Sequence, residues 1–169
     1  LSRDVLWTAL LLVTILSVLV LSVMQGGSFV VPITVDTVVS ISPVAYGLIL
    51  GASLVITVFA LHYTGRALGG AGAFADALAL VVWMEVVAIA LRLVQVALFL
   101  VSPGLAALAG LVAVVILFWV LLNFVNALHG FDSLGRALLT LVLAVVGVAI
   151  GATLILTLVG VGAGGSSDV

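Results

Sequence analysis

The sequence predicts an all-α, polytopic membrane protein with five transmembrane helices in one bundle, and its composition and segment lengths carry that prediction. Of the 169 residues, 66% are hydrophobic and 6% are charged, with a mean hydropathy of +1.64. Soluble domains are about one quarter charged, so a water-soluble globule is excluded. A helix rises about 1.5 Å per residue and the hydrocarbon core is about 30 Å thick, so each span needs roughly 20 apolar residues. Five stretches have that length: Val5–Met24, Val44–Tyr63, Asp76–Val101, Leu105–Leu128 and Leu134–Val159.

The connections predict how the spans begin. Residues 25–43 join spans 1 and 2, and their β-branched side chains favour a position at the membrane interface. Asp76 is expected to cap span 3 by accepting hydrogen bonds from its free N–H groups. The turn at Ser102 and Pro103 forces spans 3 and 4 into an antiparallel hairpin, with Ser102 as N-cap and Pro103 at the first helical position.

The last connection and the chain ends complete the predicted domain. Asp132 or Ser133 is expected to cap span 5. Residues 1–160 then form a single transmembrane domain, and residues 161–169, which are small and polar, form a flexible tail. The chain begins at Leu1 rather than at a methionine, so we expect an N-terminal piece to have been trimmed.

The composition also excludes several functions. Four arginines and no lysine leave no electrostatic footprint for nucleic acid, and the absence of cysteine excludes disulfides and thiolate metal sites. The glycine-rich loop 69–74 follows no strand and lacks the Lys-Ser/Thr pair of a phosphate-binding loop. His62 and His129 have no third ligand at metal-binding spacing. We therefore predict no cofactor, no metal and no enzymatic activity.

The arginines outside the hydrocarbon core predict the orientation. Arg3, Arg66 and Arg136 fall at the N-terminus, the 2–3 loop and the 4–5 loop, which five spans place on one side of the membrane. The opposite side carries no Lys or Arg. Since positive residues favour the cytoplasm, we expect a cytoplasmic N-terminus and an external C-terminus.

Two pairs of glycines predict close helix contacts, because helices in lipid approach one another through small residues. Gly47 and Gly51 lie in span 2, and Gly147 and Gly151 lie in span 5. Each pair is compatible with a homodimer face or with packing inside one bundle. Packing inside the bundle is favoured, because five spans offer ample internal partners.

Span 3 carries ionisable residues at bilayer depth, where each costs a few kcal/mol and is a functional candidate by default. These are Glu85 and Arg92, with Gln95 about one turn further on. The spacing puts Glu85 and Arg92 on nearly the same helix face, about 10 Å apart along the axis. That separation is long for a direct pair, so each is expected to have another partner.

Span 4 offers the expected partners. Counted from the turn at Pro103, Glu85 is level with Trp119 and Asn123, whose indole N–H and amide can satisfy a carboxylate. Asn126 follows on the same side of the span. We therefore predict a polar cluster of Glu85, Trp119, Asn123 and Asn126 in the cytoplasmic half of the bundle.

Two interpretations of this cluster remain open. In the first, Glu85 is a proton or cation site and Arg92 is a gate or an anion contact. In the second, these groups form hydrogen bonds between helices that fix the register of spans 3 and 4. The second is favoured, because transporters usually carry more than one acid and a helix broken by Gly or Pro within a span.

Two loop passages, residues 62–78 and 128–139, resemble the Yip (Ypt/Rab-interacting protein) family in its prokaryotic branch. The first is similar to that family's Gly-x-Gly-x-Phe loop before the third span, and the second to its His-Gly loop before the last span. The residues that carry the resemblance are Gly70, Gly72 and Phe74 in the first loop and His129 and Gly130 in the second.

The resemblance covers residues 43–159 and implies an integral membrane protein without enzymatic activity. Eukaryotic relatives act in vesicle traffic and contact Rab GTPases, but their long cytoplasmic N-terminal region has no counterpart before span 1, so a Rab-type partner is not expected. We predict a membrane-organising or partner-binding protein of a prokaryotic cytoplasmic (inner) membrane, surrounded by lipid and self-associating or bound to a membrane-protein partner. The alternative is a small transporter, channel or lipid-translocating protein that uses the polar cluster of spans 3 and 4.

Overall fold

The computed structural model describes residues 2–27, 29–32 and 38–158, which form five apolar helices and one β-hairpin. The elements are α1 (Arg3–Gln25), β1 (Phe29–Pro32), β2 (Val38–Ile41), α2 (Pro43–Ala67), α3 (Phe74–Val101), α4 (Pro103–His129) and α5 (Leu134–Leu158). All five helices are long and apolar enough to cross a membrane, and they pack together. The predicted all-α fold with five transmembrane helices is therefore confirmed. The predicted tail at 161–169 lies outside the described residues.

The segment between α1 and α2 contains a hairpin that the sequence analysis did not predict. β1 and β2 pair antiparallel, with Phe29 opposite Ile41 and Pro32 opposite Val38. The ring of Phe29 is buried and stacks on Tyr46 of α2 at a centroid distance of 4.2 Å. β-Branched residues favour extended backbone, which explains why this segment forms strands. Residues 33–37 of the predicted interfacial segment are outside the described ranges.

Helices α2 and α4 end in the same way, with a glycine in the left-handed conformation. Gly69 follows α2 with φ 83°, and Gly130 follows α4 with φ 63°. The N–H of Gly70 then donates to the carbonyl of Gly65 at 2.9 Å, and the N–H of Phe131 donates to that of Asn126 at 3.0 Å. These bonds satisfy carbonyls that a helix end leaves free, in the arrangement known as the Schellman motif.

The helix starts differ partly from expectation. α3 begins at Phe74, so the prediction that Asp76 is its N-cap is wrong. Asp76 lies in the first turn, and its carboxylate accepts from the N–H of Ala73 at 3.3 Å. Pro103 begins α4 directly after Ser102, although the Ser102 side chain makes no capping hydrogen bond. α5 begins directly after Ser133.

The hydrophobic core is concentrated at one end of the bundle. α3 is the central helix, packed against α1, α2 and α4, while α5 lies against α2 and α4. The core residues come from the starts of α1, α3 and α5 and the ends of α2 and α4, and they include Leu6, Leu10, Leu61, Leu78, Val81, Val125, Ala137 and Leu141. At the opposite end many side chains are uncovered, and Val23 and Leu100 are each 83% exposed, although Phe29 and Ala106 there are buried. The buried end is the one that holds Arg3, Arg66 and Arg136.

Candidate functional site

The ionisable residues of α3 are joined to each other and to α1. Arg92 Nη1 lies 2.9 Å from Glu85 Oε1 and also donates to the Ser17 hydroxyl at 2.9 Å. The hydroxyl of Ser17 in turn donates to Glu85 Oε1. We call this group, Ser17, Glu85 and Arg92, the polar triad. The triad contains an ion pair within α3, and its hydrogen bonds to Ser17 connect α3 to α1.

Burial makes the polar triad energetically important. Ser17 is fully buried, and the side chain of Glu85 is 9% exposed whereas that of Arg92 is 26% exposed. A charge in a low-dielectric interior is tolerated only when it is paired and hydrogen-bonded. The pairing of Glu85 with a guanidinium and a hydroxyl meets that condition.

The expectation that Glu85 and Arg92 lie too far apart for a direct pair is wrong, for a geometric reason. Helical side chains lean toward the N-terminus of their helix, so Arg92 extends toward Glu85. The long, flexible arginine side chain covers most of the rise of about 10 Å between the two positions.

The predicted contact of Glu85 with α4 is also wrong. Trp119 is 60% exposed, and the Asn123 amide donates to the Trp119 carbonyl of its own helix at 2.8 Å. Asn126 has a buried Oδ1 without a hydrogen-bond partner among the described residues. Counting residues from the turn at Pro103 predicts how deep these residues lie in the membrane. It does not predict towards which neighbouring helix their side chains point. α4 is apolar around its whole circumference, so its sequence does not reveal which face meets α3.

Gln95 links α3 to α4 instead. Its Nε2 donates to the carbonyl of Ala106 at 3.2 Å, next to Gly110, where an added Cβ would lie 2.8 Å from the same nitrogen. Gln95 therefore makes the kind of contact that fixes the register of spans 3 and 4, whereas Glu85 and Arg92 bind α3 to α1.

Ser17 was not identified from the sequence. Serine is common in membrane helices and often bonds to its own backbone, as Thr14 does by donating to the carbonyl of Leu10 at 2.7 Å. The depth of Ser17 in the membrane is one feature of the sequence that indicates its contact with Glu85 and Arg92. Counted in residues from the start of α1, Ser17 lies at a depth between those of Glu85 and Arg92, counted from the start of α3. It also lies on the same face of α1 as Leu6, Leu10 and Val13, which is the buried face.

The two glycine pairs have different surroundings. A Cβ on Gly47 would lie 3.3 Å from Val18 Cγ2, and a Cβ on Gly51 would lie 3.5 Å from Thr14 Cγ2, so this pair faces α1. Around Gly147 and Gly151, by contrast, the described residues place nothing within 4 Å of such an atom. The first pair packs inside the bundle, and the second pair is uncovered.

Gly70 and His129, which carry part of the family resemblance, lie against each other where the two loops meet. The His129 ring is 2% exposed, and its Nδ1 donates to the carbonyl of Val125 at 3.2 Å. Gly65 lies so close to the ring that a Cβ there would overlap it, and a Cβ on Gly70 would lie 2.5 Å from its Cδ2. The N–H of Ala71 donates to the His129 carbonyl at 3.1 Å. We call this arrangement of Gly65, Gly70 and His129 the histidine cradle.

Gly72 and Phe74 extend the contact between the loops. A Cβ on Gly72 would lie 2.8 Å from the Leu128 carbonyl oxygen. The Phe74 ring packs edge-on against His62 at a centroid distance of 5.6 Å. The glycines of the loop thus allow backbone to approach backbone and a histidine ring, which no larger residue would permit.

Both histidines retain a buried nitrogen, His62 Nδ1 and His129 Nε2, that has no hydrogen-bond partner in the part of the chain that is described. Across residues 2–27, 29–32 and 38–158, no three His, Cys, Asp or Glu side chains are grouped in a way that could hold a metal ion.

Comparison with known proteins identifies the family. A family model described as the Yip1 domain matches residues 1–158, which include all five helices and both loops of the histidine cradle. No curated protein and no solved structure matches the chain significantly. The match agrees with the resemblance of the two loops and with five helices that are long and apolar enough to span a membrane. The chain is therefore an integral membrane protein that belongs to the Yip1 family.

Proposed function

We propose that the protein is a non-enzymatic membrane component that organises the bilayer or binds membrane-protein partners, with residues 1–160 acting as one transmembrane domain. The observation that carries this proposal is the closed polar triad. The two charges of α3 pair with each other, and both bond to the Ser17 hydroxyl of α1. This arrangement supports a structural role for Glu85 and Arg92.

A transport role would require a cavity that reaches Glu85 from the membrane surface. One groove of about 520 Å³ lies between α1 and α2, and a hollow of about 260 Å³ lies between α3 and α4. Neither is lined by Glu85 or Arg92. The closed polar triad favours the structural role, so the transporter, channel or lipid-translocation alternative stands second.

The uncovered pair Gly147 and Gly151 supports self-association through α5, because close approach of helices in lipid needs small residues. Mass measurement of the intact complex in mild detergent is expected to give twice the 17.1 kDa of the chain. Replacing both glycines by valine is expected to shift the mass to that of one chain, whereas Ala107→Val on the exposed surface of α4 should leave the dimer intact. A bare monomer of the unaltered protein, with nothing attached, would contradict the proposal.

The proposed orientation, with a cytoplasmic N-terminus in a prokaryotic inner membrane, has a direct test because the chain contains no cysteine. Ser133→Cys and Ser40→Cys place single thiols at exposed positions in the α4–α5 loop and in β2. We expect a membrane-impermeant maleimide added to intact cells to label the Ser40→Cys thiol only, since the arginine-rich side faces the cytoplasm. Labelling of Ser133→Cys alone would mean that the orientation is reversed.

A further inference from the structure

A hollow on the outer surface of the bundle lies between the start of α3 and the end of α4. Its volume is about 260 Å³. α3 contributes Asp76, Ala79 and Trp83 to its lining, and α4 contributes Phe124, Ala127 and Leu128. The hollow lies at the end of the bundle that holds Arg3, Arg66 and Arg136, which we place on the cytoplasmic side.

The lining is polar at the mouth and aromatic further in. Asp76 is exposed and lies in the first turn of α3, near the membrane surface. Trp83 lies seven residues further on, on nearly the same face and about 10 Å deeper in the membrane. Trp83 is 59% exposed and Phe124 is 37% exposed, so both rings face the lipid. This order of groups matches a lipid, which has a polar head and apolar chains.

The charge of Asp76 indicates which headgroup the hollow takes. One oxygen, Oδ2, accepts from the N–H of Ala73, which leaves Oδ1 for a ligand. Within the described ranges, the ion pair of the protein joins Arg92 to Glu85, and Asp76 pairs with no cationic side chain. A carboxylate binds an ammonium group that can donate hydrogen bonds to it.

We propose that this hollow binds a phospholipid with a primary ammonium headgroup, such as phosphatidylethanolamine. The ammonium donates to Asp76 Oδ1 at the mouth, and the apolar part of the lipid lies against Trp83 and Phe124. An anionic lipid would meet the carboxylate with like charge, and a quaternary ammonium lipid would lack the hydrogen-bond donors.

The test is a lipid titration of the full chain in detergent, followed by mass measurement of the intact complexes. Phosphatidylethanolamine is expected to bind more tightly than phosphatidylglycerol or phosphatidylcholine with the same acyl chains. Asp76→Asn is expected to lower the affinity for phosphatidylethanolamine about two- to fivefold, the range of an exposed ion pair. It is not expected to lower the affinity for phosphatidylglycerol, because that lipid then no longer meets a like charge. The asparagine oxygen can still accept from Ala73, so the start of α3 is preserved.

Asp132→Asn is the matched control, because Asp132 is an exposed acid at the same end of the bundle that does not line the hollow. It is expected to change no lipid affinity. Trp83→Leu is expected to weaken the binding of phosphatidylethanolamine without removing its preference over phosphatidylglycerol. Equal affinity of the unaltered protein for the three lipids, equal losses in Asp76→Asn and Asp132→Asn, or no loss in Trp83→Leu would overturn the proposal.

Discussion

Replacing Arg92 by leucine is expected to lower the free energy of unfolding by about 3–5 kcal/mol, the range for removal of one partner of a buried ion pair. The substitution leaves the carboxylate of Glu85 in the interior with only the Ser17 hydroxyl as partner. Unfolding of the purified protein in mixed micelles of mild and denaturing detergent measures the loss.

Glu85→Gln is expected to cost less than Arg92→Leu, because the partly exposed Arg92 side chain can extend toward water when its partner is absent. Arg136→Leu is the matched control, since Arg136 is exposed in the first turn of α5. A loss in Arg136→Leu as large as that in Arg92→Leu would mean that the effect comes from removing any arginine and not from the polar triad.

Gly65→Ala is expected to have the second largest effect, a loss of about 1–3 kcal/mol from overpacking. The new methyl group would overlap the ring of His129, which also stacks on Phe131 at a centroid distance of 5.3 Å. α2 and α4 must therefore separate, or the ring must leave its buried position. The same detergent unfolding measurement reports the change.

The matched control for this prediction is Gly104→Ala, in the first turn of α4, where the added Cβ would lie 3.6 Å from Ser102 Oγ, an ordinary van der Waals contact. It should be neutral or slightly stabilising, because alanine favours a helix over glycine by up to about 1 kcal/mol. In a His129→Ala background, Gly65→Ala should lose most of its effect. If the cost of Gly65→Ala were the same with and without the histidine ring, the histidine cradle would not be its cause.

The sequence was sufficient for the fold class, because hydropathy and length decide which segments can cross a bilayer. The sequence predicts the positions of the helix ends less well. α2 continues past Tyr63 to Ala67 because the glycines at 69 and 70 close it with a Schellman motif, a signal that hydropathy does not carry. The pairing of β1 with β2 is not visible in the sequence, where the β-branched residues indicate only an interfacial segment.

The candidate site was only partly predictable. Glu85 and Arg92 stand out because charges are rare within apolar spans, and the loop glycines stand out through the resemblance to the Yip family. The hydrogen-bond partners of Glu85 and Arg92 are not predictable from the sequence in the same way. Contact between helices depends on which face each presents, and uniformly apolar helices hide that face. The sequence therefore does not reveal the contact of Ser17 with Glu85, and the predicted contact of Glu85 with Trp119 and Asn123 is wrong.

The central claim is that Glu85 and Arg92 stabilise the bundle as a pair, and a double-mutant cycle tests it most directly. The cycle compares the unfolding free energies of Glu85→Gln, Arg92→Leu and the variant that carries both. We expect the double variant to be more stable than the sum of the single losses implies, with a coupling energy of about 1–3 kcal/mol. A coupling within about 0.5 kcal/mol of zero, the value for independent sites, would contradict the account.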